Sequence, residues 1–141
     1  MTEAVFDANL LAALVLDLPY SLAARQVAEH YDGVTSEQSL PEVATAIVRA
    51  VRTKAMSPDD AAAALTTAMG FAKTARMAGM ERDALRLALL LDHTAYDCFY
   101  LRLAEQRGCP FATADKRFLK KAAHIATVPL LDLFALPEAL P

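Results

Sequence analysis

Within Thr94–Glu105 one acid, Asp97, falls on the face of a helix that should be buried. On a helical wheel it sits beside Tyr100, Leu101 and Ala104, while Arg102, Glu105 and Gln106 share the other side. An ionised carboxylate is costly to bury without a partner, so this placement demands one. The partner is either an arginine such as Arg49 or Arg86, in a buried salt bridge, or a metal ion. Eighteen residues further on, the apolar run Phe111-Ala-Thr-Ala ends in a second acid, Asp115.

Two more acids complete a set. Asp7 closes the apolar run Ala4-Val-Phe6, and Glu42 lies in Ser39-Leu-Pro-Glu42. Each has an ordinary structural use. Asp7 and Asp115 precede predicted helices and suit N-caps, while Ser39-x-x-Glu42 matches a capping box. Asp97 lies inside a helix and has no such use. Four carboxylates brought together repel one another and require a cation. Oxygen-only ligands suit Mg²⁺ or Mn²⁺ rather than zinc. Such a site can hold one or two ions, activate a water and steady the leaving oxygen of a phosphodiester. Asn9 and Thr113, each two residues from one of these acids, can hydrogen-bond a neighbouring carboxylate or a phosphate.

The elements that must position these acids read as follows. A short buried strand, Ala4–Phe6, leads into a helix from Ala8 to Asp17, which Pro19 breaks. A second helix runs from Ser21 to Tyr31. Asp32-Gly33 is a turn signal, and Val34-Thr35 a short strand or an extended link. Helices follow from Ser39 to Lys54, from Ser57 to Met69 with a proline in its first turn, and from Glu81 to Leu91. The stretch from Gly70 to Gly79 either continues as helix to Met77 or breaks near Gly70. The Asp97 helix ends at Gly108. Phe111–Thr113 is a strand, Lys116–Ala123 a helix and Thr127–Leu131 a last strand. Short strands alternating with helices predict an α/β fold, a small parallel sheet covered on both faces. In such a sheet Asp7 and Asp115 fall at strand carboxyl ends, where open α/β sheets bind ligands, and Glu42 at the edge of the same layer.

At 141 residues the chain is read as one domain over residues 1–136 with a tail at 137–141. The net charge of −3 argues against a general nucleic-acid coat and against a basic membrane-surface helix. A local basic patch exists nonetheless: Lys116, Arg117, Lys120 and Lys121 crowd the residues just after Asp115, placed to grip phosphates or simply to solvate a helix face. Arg49 and Arg52 are candidate additions to it. Two cysteines, Cys98 and Cys109, are too few and too irregular for a zinc knuckle or redox pair. With no signal peptide and no apolar run of membrane-spanning length, the expectation is a soluble cytoplasmic protein. The histidines have no metal-like mutual spacing, and His93, four residues before Asp97, reads as a surface neighbour. Leu10, Leu11, Leu14, Val15 and Leu18 exceed what one helix needs for a core; burial is their ordinary use, lining a partner groove the other.

Four blocks of the chain, in order, resemble those of the PIN-domain ribonucleases: Phe6-Asp-Ala-Asn9, Pro41-Glu-Val-Ala44, Thr94–Glu105 with its Tyr-Asp-x-x-Tyr-x-x-Leu-Ala setting, and Thr113-Ala-Asp-Lys-Arg-Phe118. The likeness is greatest to the VapC-type toxins of bacterial toxin–antitoxin pairs. It implies a PIN-like three-layer α/β/α sandwich and dependence on Mg²⁺ or Mn²⁺. It further implies endonucleolytic cleavage of single-stranded RNA that leaves a 5′-phosphate and a 3′-hydroxyl, a homodimer, and inhibition by a cognate antitoxin. The ligands would be Asp7, Glu42, Asp97 and Asp115, with Asn9 and Thr113 ordering them. Residues 70–80 fit the pattern poorly, and Glu37 is a rival to Glu42. Two other readings stand beside it: a catalytically idle PIN-like module that binds a partner, and a receiver-like or phosphohydrolase-like domain that would use Asp7 as phospho-acceptor.

Overall fold

The structure, a computed structural model, describes residues 1–136 and 139–141. Strand β1 (Glu3–Phe6) alternates its side chains as a pleated strand must, with Ala4 and Phe6 on one face and Val5 on the other. Each face is buried, which is why the run has no polar interruption. Helices α1 (Ala8–Ala13), α2 (Ser21–His30), α3 (Ser39–Arg52) and α4 (Ala61–Met69) cover the Ala4/Phe6 face. Their contribution includes Leu10, Leu11, Ala24, Val27, Val43 and Ile47. Helices α5 (Glu81–Leu91), α6 (Ala95–Arg107) and α7 (Lys116–Ala122) cover the other, with Leu87, Leu101, Leu103 and Phe118. The result is a three-layer α/β/α sandwich.

The sheet has five strands, all parallel, in the order β3-β2-β1-β4-β5: β2 is Asp32–Ser36, β3 Ala72–Ala75, β4 Phe111–Thr113 and β5 Leu130–Asp132. From β1 the chain first builds outward through β2 and β3, then crosses back to add β4 and β5 on the other side. The switch point therefore lies between β1 and β4, where a crevice opens beyond the strand carboxyl ends.

Several expectations need correction. Of the two alternatives for Gly70 to Gly79 the break near Gly70 holds, since α4 ends at Met69; the unforeseen part is β3, whose sequence Ala-Lys-Thr-Ala lacks an apolar alternation because it is a half-exposed edge strand. Asp32-Gly33 is no turn but the start of β2. Gly33 is required there for another reason: a Cβ would lie 2.4 Å from the Phe6 ring and 2.6 Å from the Phe71 carbonyl. The first helix ends at Ala13, four residues early. Ser21 causes the difference, since its hydroxyl donates to the Leu16 carbonyl and accepts from the Leu18 N–H, turning the chain before Pro19. Pro58–Asp60 forms a 3₁₀ turn before α4, capped by Ser57. The last strand starts at Leu130 because Thr127 is drawn instead to Glu105, whose carboxylate accepts both its N–H and its hydroxyl. Of the expected tail, residues 137 and 138 lie outside the described residues; at its end the Tyr31 hydroxyl donates to the Pro141 carbonyl.

Candidate metal centre at the sheet switch point

Asp7 follows β1 directly and Asp115 follows β4 by two residues, so pairing of these neighbouring strands brings the two acids together. Both are N-caps as well. Asp7 Oδ1 accepts from the Leu10 N–H at 2.8 Å, and Asp115 Oδ1 from the Phe118 N–H at 3.0 Å. Each cap occupies one carboxylate oxygen; the other is held by Thr113 in Asp7 and faces His93 across the crevice in Asp115. Capping and site chemistry, competing readings at the level of sequence, are thus compatible in space. Thr113 links the two: its hydroxyl donates to Asp7 Oδ2 at 2.6 Å and accepts from the Asp115 N–H at 3.1 Å.

Asp97 enters from the first turn of α6, its side chain only 14% exposed. Neither Arg49 nor Arg86 reaches it; Arg86 pairs with Asp83 at the surface, and Arg49 is exposed on α3. Its neighbour is His93. The His93 Nε2 lies 2.8 Å from Asp97 Oδ2 and 3.3 Å from Asp115 Oδ2, with the side chain 10% exposed. His93 is therefore not a surface neighbour of Asp97 but part of the crevice wall. The left-handed Asp92 that ends α5, at φ 50°, turns the chain sharply, and the His93 N–H bonds back to the Ala88 carbonyl. The imidazole is thereby aimed inward and rests against the Phe118 ring. An i,i+4 spacing to Asp97 was the available signal, but the reversal at Asp92 that gives it meaning is not visible in a helical wheel.

Glu42 stands on the first turn of α3, beside the crevice. The capping box is not formed: the helix begins at Ser39, whose buried hydroxyl has no protein partner, and Glu42 Oε1 instead accepts from the Tyr100 hydroxyl at 3.4 Å. Glu37 points elsewhere, its carboxylate accepting from the Met77 N–H at 3.1 Å. Asn9 is exposed at the rim, lining with Glu42, Gln38, Arg49 and Tyr96 a groove of about 390 Å³.

The electrostatics follow from this crowding. Burial pushes Asp97 up to about 9, aided by its hydrogen bond with Asp115 and the charges of Asp7, Asp115 and Glu42. Burial and the Asp7 charge raise Glu42 to about 7. Asp7 is raised to about 6 by burial, against the hydrogen bonds from Thr113 and Leu10. Asp115 goes the other way: burial opposes it, but the hydrogen bond from Asp97, the Phe118 N–H and His93 hold it below the usual carboxylate range. Opposite shifts at neighbouring carboxyls are the mark of mutual repulsion, which a bound proton or a cation relieves.

The donor set fits a divalent ion. Ligand atoms of His93, Asp97 and Asp115 lie within 4.8 Å of one another; Asp7 and Glu42 fall outside that group and act on Asp97 through their charges. Among the described residues no lysine or arginine pairs with Asp7, Glu42, Asp97 or Asp115. The basic residues of α7 serve other contacts in part. Lys116 lies over the Phe134 ring at 4.3 Å, and Lys121 donates to the Asp92 carbonyl at 2.5 Å, clamping the turn that presents His93. Arg117 and Lys120 are exposed.

An all-parallel α/β/α sandwich with acids gathered at its switch point has its candidate ligand site where open α/β sheets bind ligands, beyond the strand carboxyl ends. Residues 4–124 match the family model described as PIN domain, and the chain belongs to that family. PIN domains are generally metal-dependent nucleases. Solved structures with the same fold include PAE2754 from Pyrobaculum aerophilum, at 21% identity and a TM-score of 0.71 over 94% of this chain and 85% of that one. FitAB bound to an IR36 DNA fragment matches at 13% identity and a TM-score of 0.61, over 97% and 99%. FitAcB from Neisseria gonorrhoeae matches at 15% and 0.60, over 94% and 99%. No curated protein matches. Among the described residues no helix is long and apolar enough to cross a membrane.

Proposed function

We propose that this chain is a metal-dependent endoribonuclease of the VapC type, the toxin of a toxin–antitoxin pair, with Asp7, Glu42, Asp97 and Asp115 as the ligands of Mg²⁺ or Mn²⁺. The observation that carries the proposal is Asp97, an acid largely withdrawn from solvent with no lysine or arginine partner, close to Asp115 and under the charges of Asp7 and Glu42. A bound divalent ion supplies the Lewis acidity and the activated water that phosphodiester hydrolysis needs. The chain's own part is positional. Thr113 and the Leu10 N–H fix both oxygens of Asp7, and the Phe118 N–H fixes one of Asp115. Tyr100 restrains Glu42, and Asn9 offers an amide at the groove mouth. The exposed Arg117 and Lys120, with Lys116 and Lys121 behind them, neutralise phosphates that the acids would otherwise repel.

The toxin reading brings two protein partners. A second groove of about 590 Å³, continuous with the first through Asn9, Ala46 and Arg49, is lined by Val15, Leu18 and Tyr20 and suits a segment of the cognate antitoxin. Exposed Leu85, Leu89 and Leu90 along α5 suit a homodimer. A soluble, cytoplasmic setting belongs to the same reading, as does a preference for single-stranded RNA.

The test uses purified chain free of antitoxin. It should cut RNA in Mg²⁺ or Mn²⁺, stop on chelation, and lose at least about a hundredfold in rate in Asp97→Asn, as befits a group that acts only with the others. A parent without cleavage on any RNA class, or an equally active Asp97→Asn, overturns the proposal. The idle-module reading predicts instead that Mn²⁺ leaves the melting temperature unchanged.

A further inference from the structure

Oxygen-only coordination is what the four acids prescribe, yet the structure adds an imidazole to them. We infer that His93 is itself a metal ligand, donating Nε2 alongside Asp97 and Asp115 and biasing the site toward a first-row transition dication such as Mn²⁺ over Mg²⁺. The inference rests on the nuclease reading above and goes beyond it in assigning a nitrogen to the site.

Three observations carry it. First, Nε2 is directed between two carboxylate oxygens rather than at one, at 2.8 Å from Asp97 Oδ2 and 3.3 Å from Asp115 Oδ2. Those separations bracket the edge of an octahedron, about 3 Å for metal–ligand bonds of about 2.1 Å. Second, the ring is held before any ion arrives. The Asp92 reversal, the His93 N–H to Ala88 bond, the Phe118 ring and the Lys121 clamp on the Asp92 carbonyl together fix its direction. A preorganised ligand loses little freedom on binding. Third, the alternative roles fit less well. A phosphate-gripping histidine would face solvent rather than sit 10% exposed among acids, and the Nε2 hydrogen that bridges the two carboxylates is the one an incoming ion would displace.

The chemistry sets the selectivity. Mg²⁺ is a hard ion that keeps its waters and favours oxygen, whereas a first-row transition dication accepts imidazole readily. An imidazole ligand also adds a donor without adding negative charge to a site already crowded with it.

The experiment is pulsed electron paramagnetic resonance on the full chain loaded with Mn²⁺. A ¹⁴N coupling is expected in the parent and its loss in His93→Gln, with folding of the variant checked by circular dichroism. By calorimetry His93→Gln should weaken Mn²⁺ by about tenfold or more while changing Mg²⁺ by less than about threefold. Mn²⁺ bound by the parent without nitrogen coupling overturns the His93 assignment and leaves the nuclease reading standing. A parent that binds no Mn²⁺ overturns both.

Discussion

At Asp115 a single side chain does two things with two atoms: Oδ1 caps α7 and Oδ2 faces His93 across the crevice. The substitution to asparagine separates them. Asp115→Asn keeps a carbonyl oxygen for the cap and should stay within about 0.5 kcal/mol of the parent in chelator, whereas Asp115→Ala should lose about 1 kcal/mol. Both should lose the rise in melting temperature that Mn²⁺ gives the parent; a retained rise would remove Asp115 from the ligand set. The titration of the cluster is the second test at this scale. Asp7, Glu42 and Asp97 hold protons more tightly folded than unfolded. Each therefore contributes stability that is complete below its ordinary value of 3.8 or 4.5 and is lost as pH rises through about 6, 7 and 9. Asp115, lowered, loses its contribution only as pH falls below its ordinary 3.8, outside that window. In chelator the melting temperature should fall steadily from about pH 5 to pH 9, and saturating Mn²⁺ should flatten the slope. A level profile in chelator would mean that the carboxylates are not coupled as described.

Among the elements, β2 carries the tightest packing constraint. Phe6 of β1 and the Phe71 carbonyl close over Gly33, so Gly33→Ala should destabilise by about 1–3 kcal/mol, measurable by urea denaturation, and a neutral result would show that the Phe6 ring can move aside. How far each element was legible depended on how it is buried. α3 was readable from its amphipathic period, and α6 from its length and the left-handed glycine, Gly108, that stops it. β3 was not, because an edge strand gains its stability from pairing with β2 and carries no apolar pattern of its own. The end of α1 was misplaced for a related reason: a serine eight residues beyond Ala13 turns the chain through its hydroxyl, and no propensity scale registers that.

For the whole molecule, the parallel order β3-β2-β1-β4-β5 makes the site, because it sets Asp7 and Asp115 at adjacent strand ends and leaves α3 and α6 to bring Glu42 and Asp97 from opposite layers. It also leaves α5 with an uncovered apolar side, Leu89 being 74% exposed and Leu90 73%. If that side closes a homodimer, Leu89→Lys with Leu90→Lys should yield a monomer by light scattering at micromolar concentration, with the fold intact by circular dichroism. A dimer that persists would place its interface elsewhere.

The residues alone pointed to the fold class, the family resemblance and four candidate acids, because strand and helix periodicities and the order of short motifs are local, one-dimensional properties. Tertiary structure decided where those acids sit and what they touch. It showed that a cap and a crevice-facing oxygen can belong to one carboxylate, and that the Ser39–Glu42 capping box gives way to a Tyr100–Glu42 bond. It also showed that His93 belongs with Asp97 and Asp115. These depend on which atoms meet across 58 residues of chain, as for Glu42 and Tyr100, or through a left-handed turn at Asp92. Such meetings are set by the packing of both layers on the sheet.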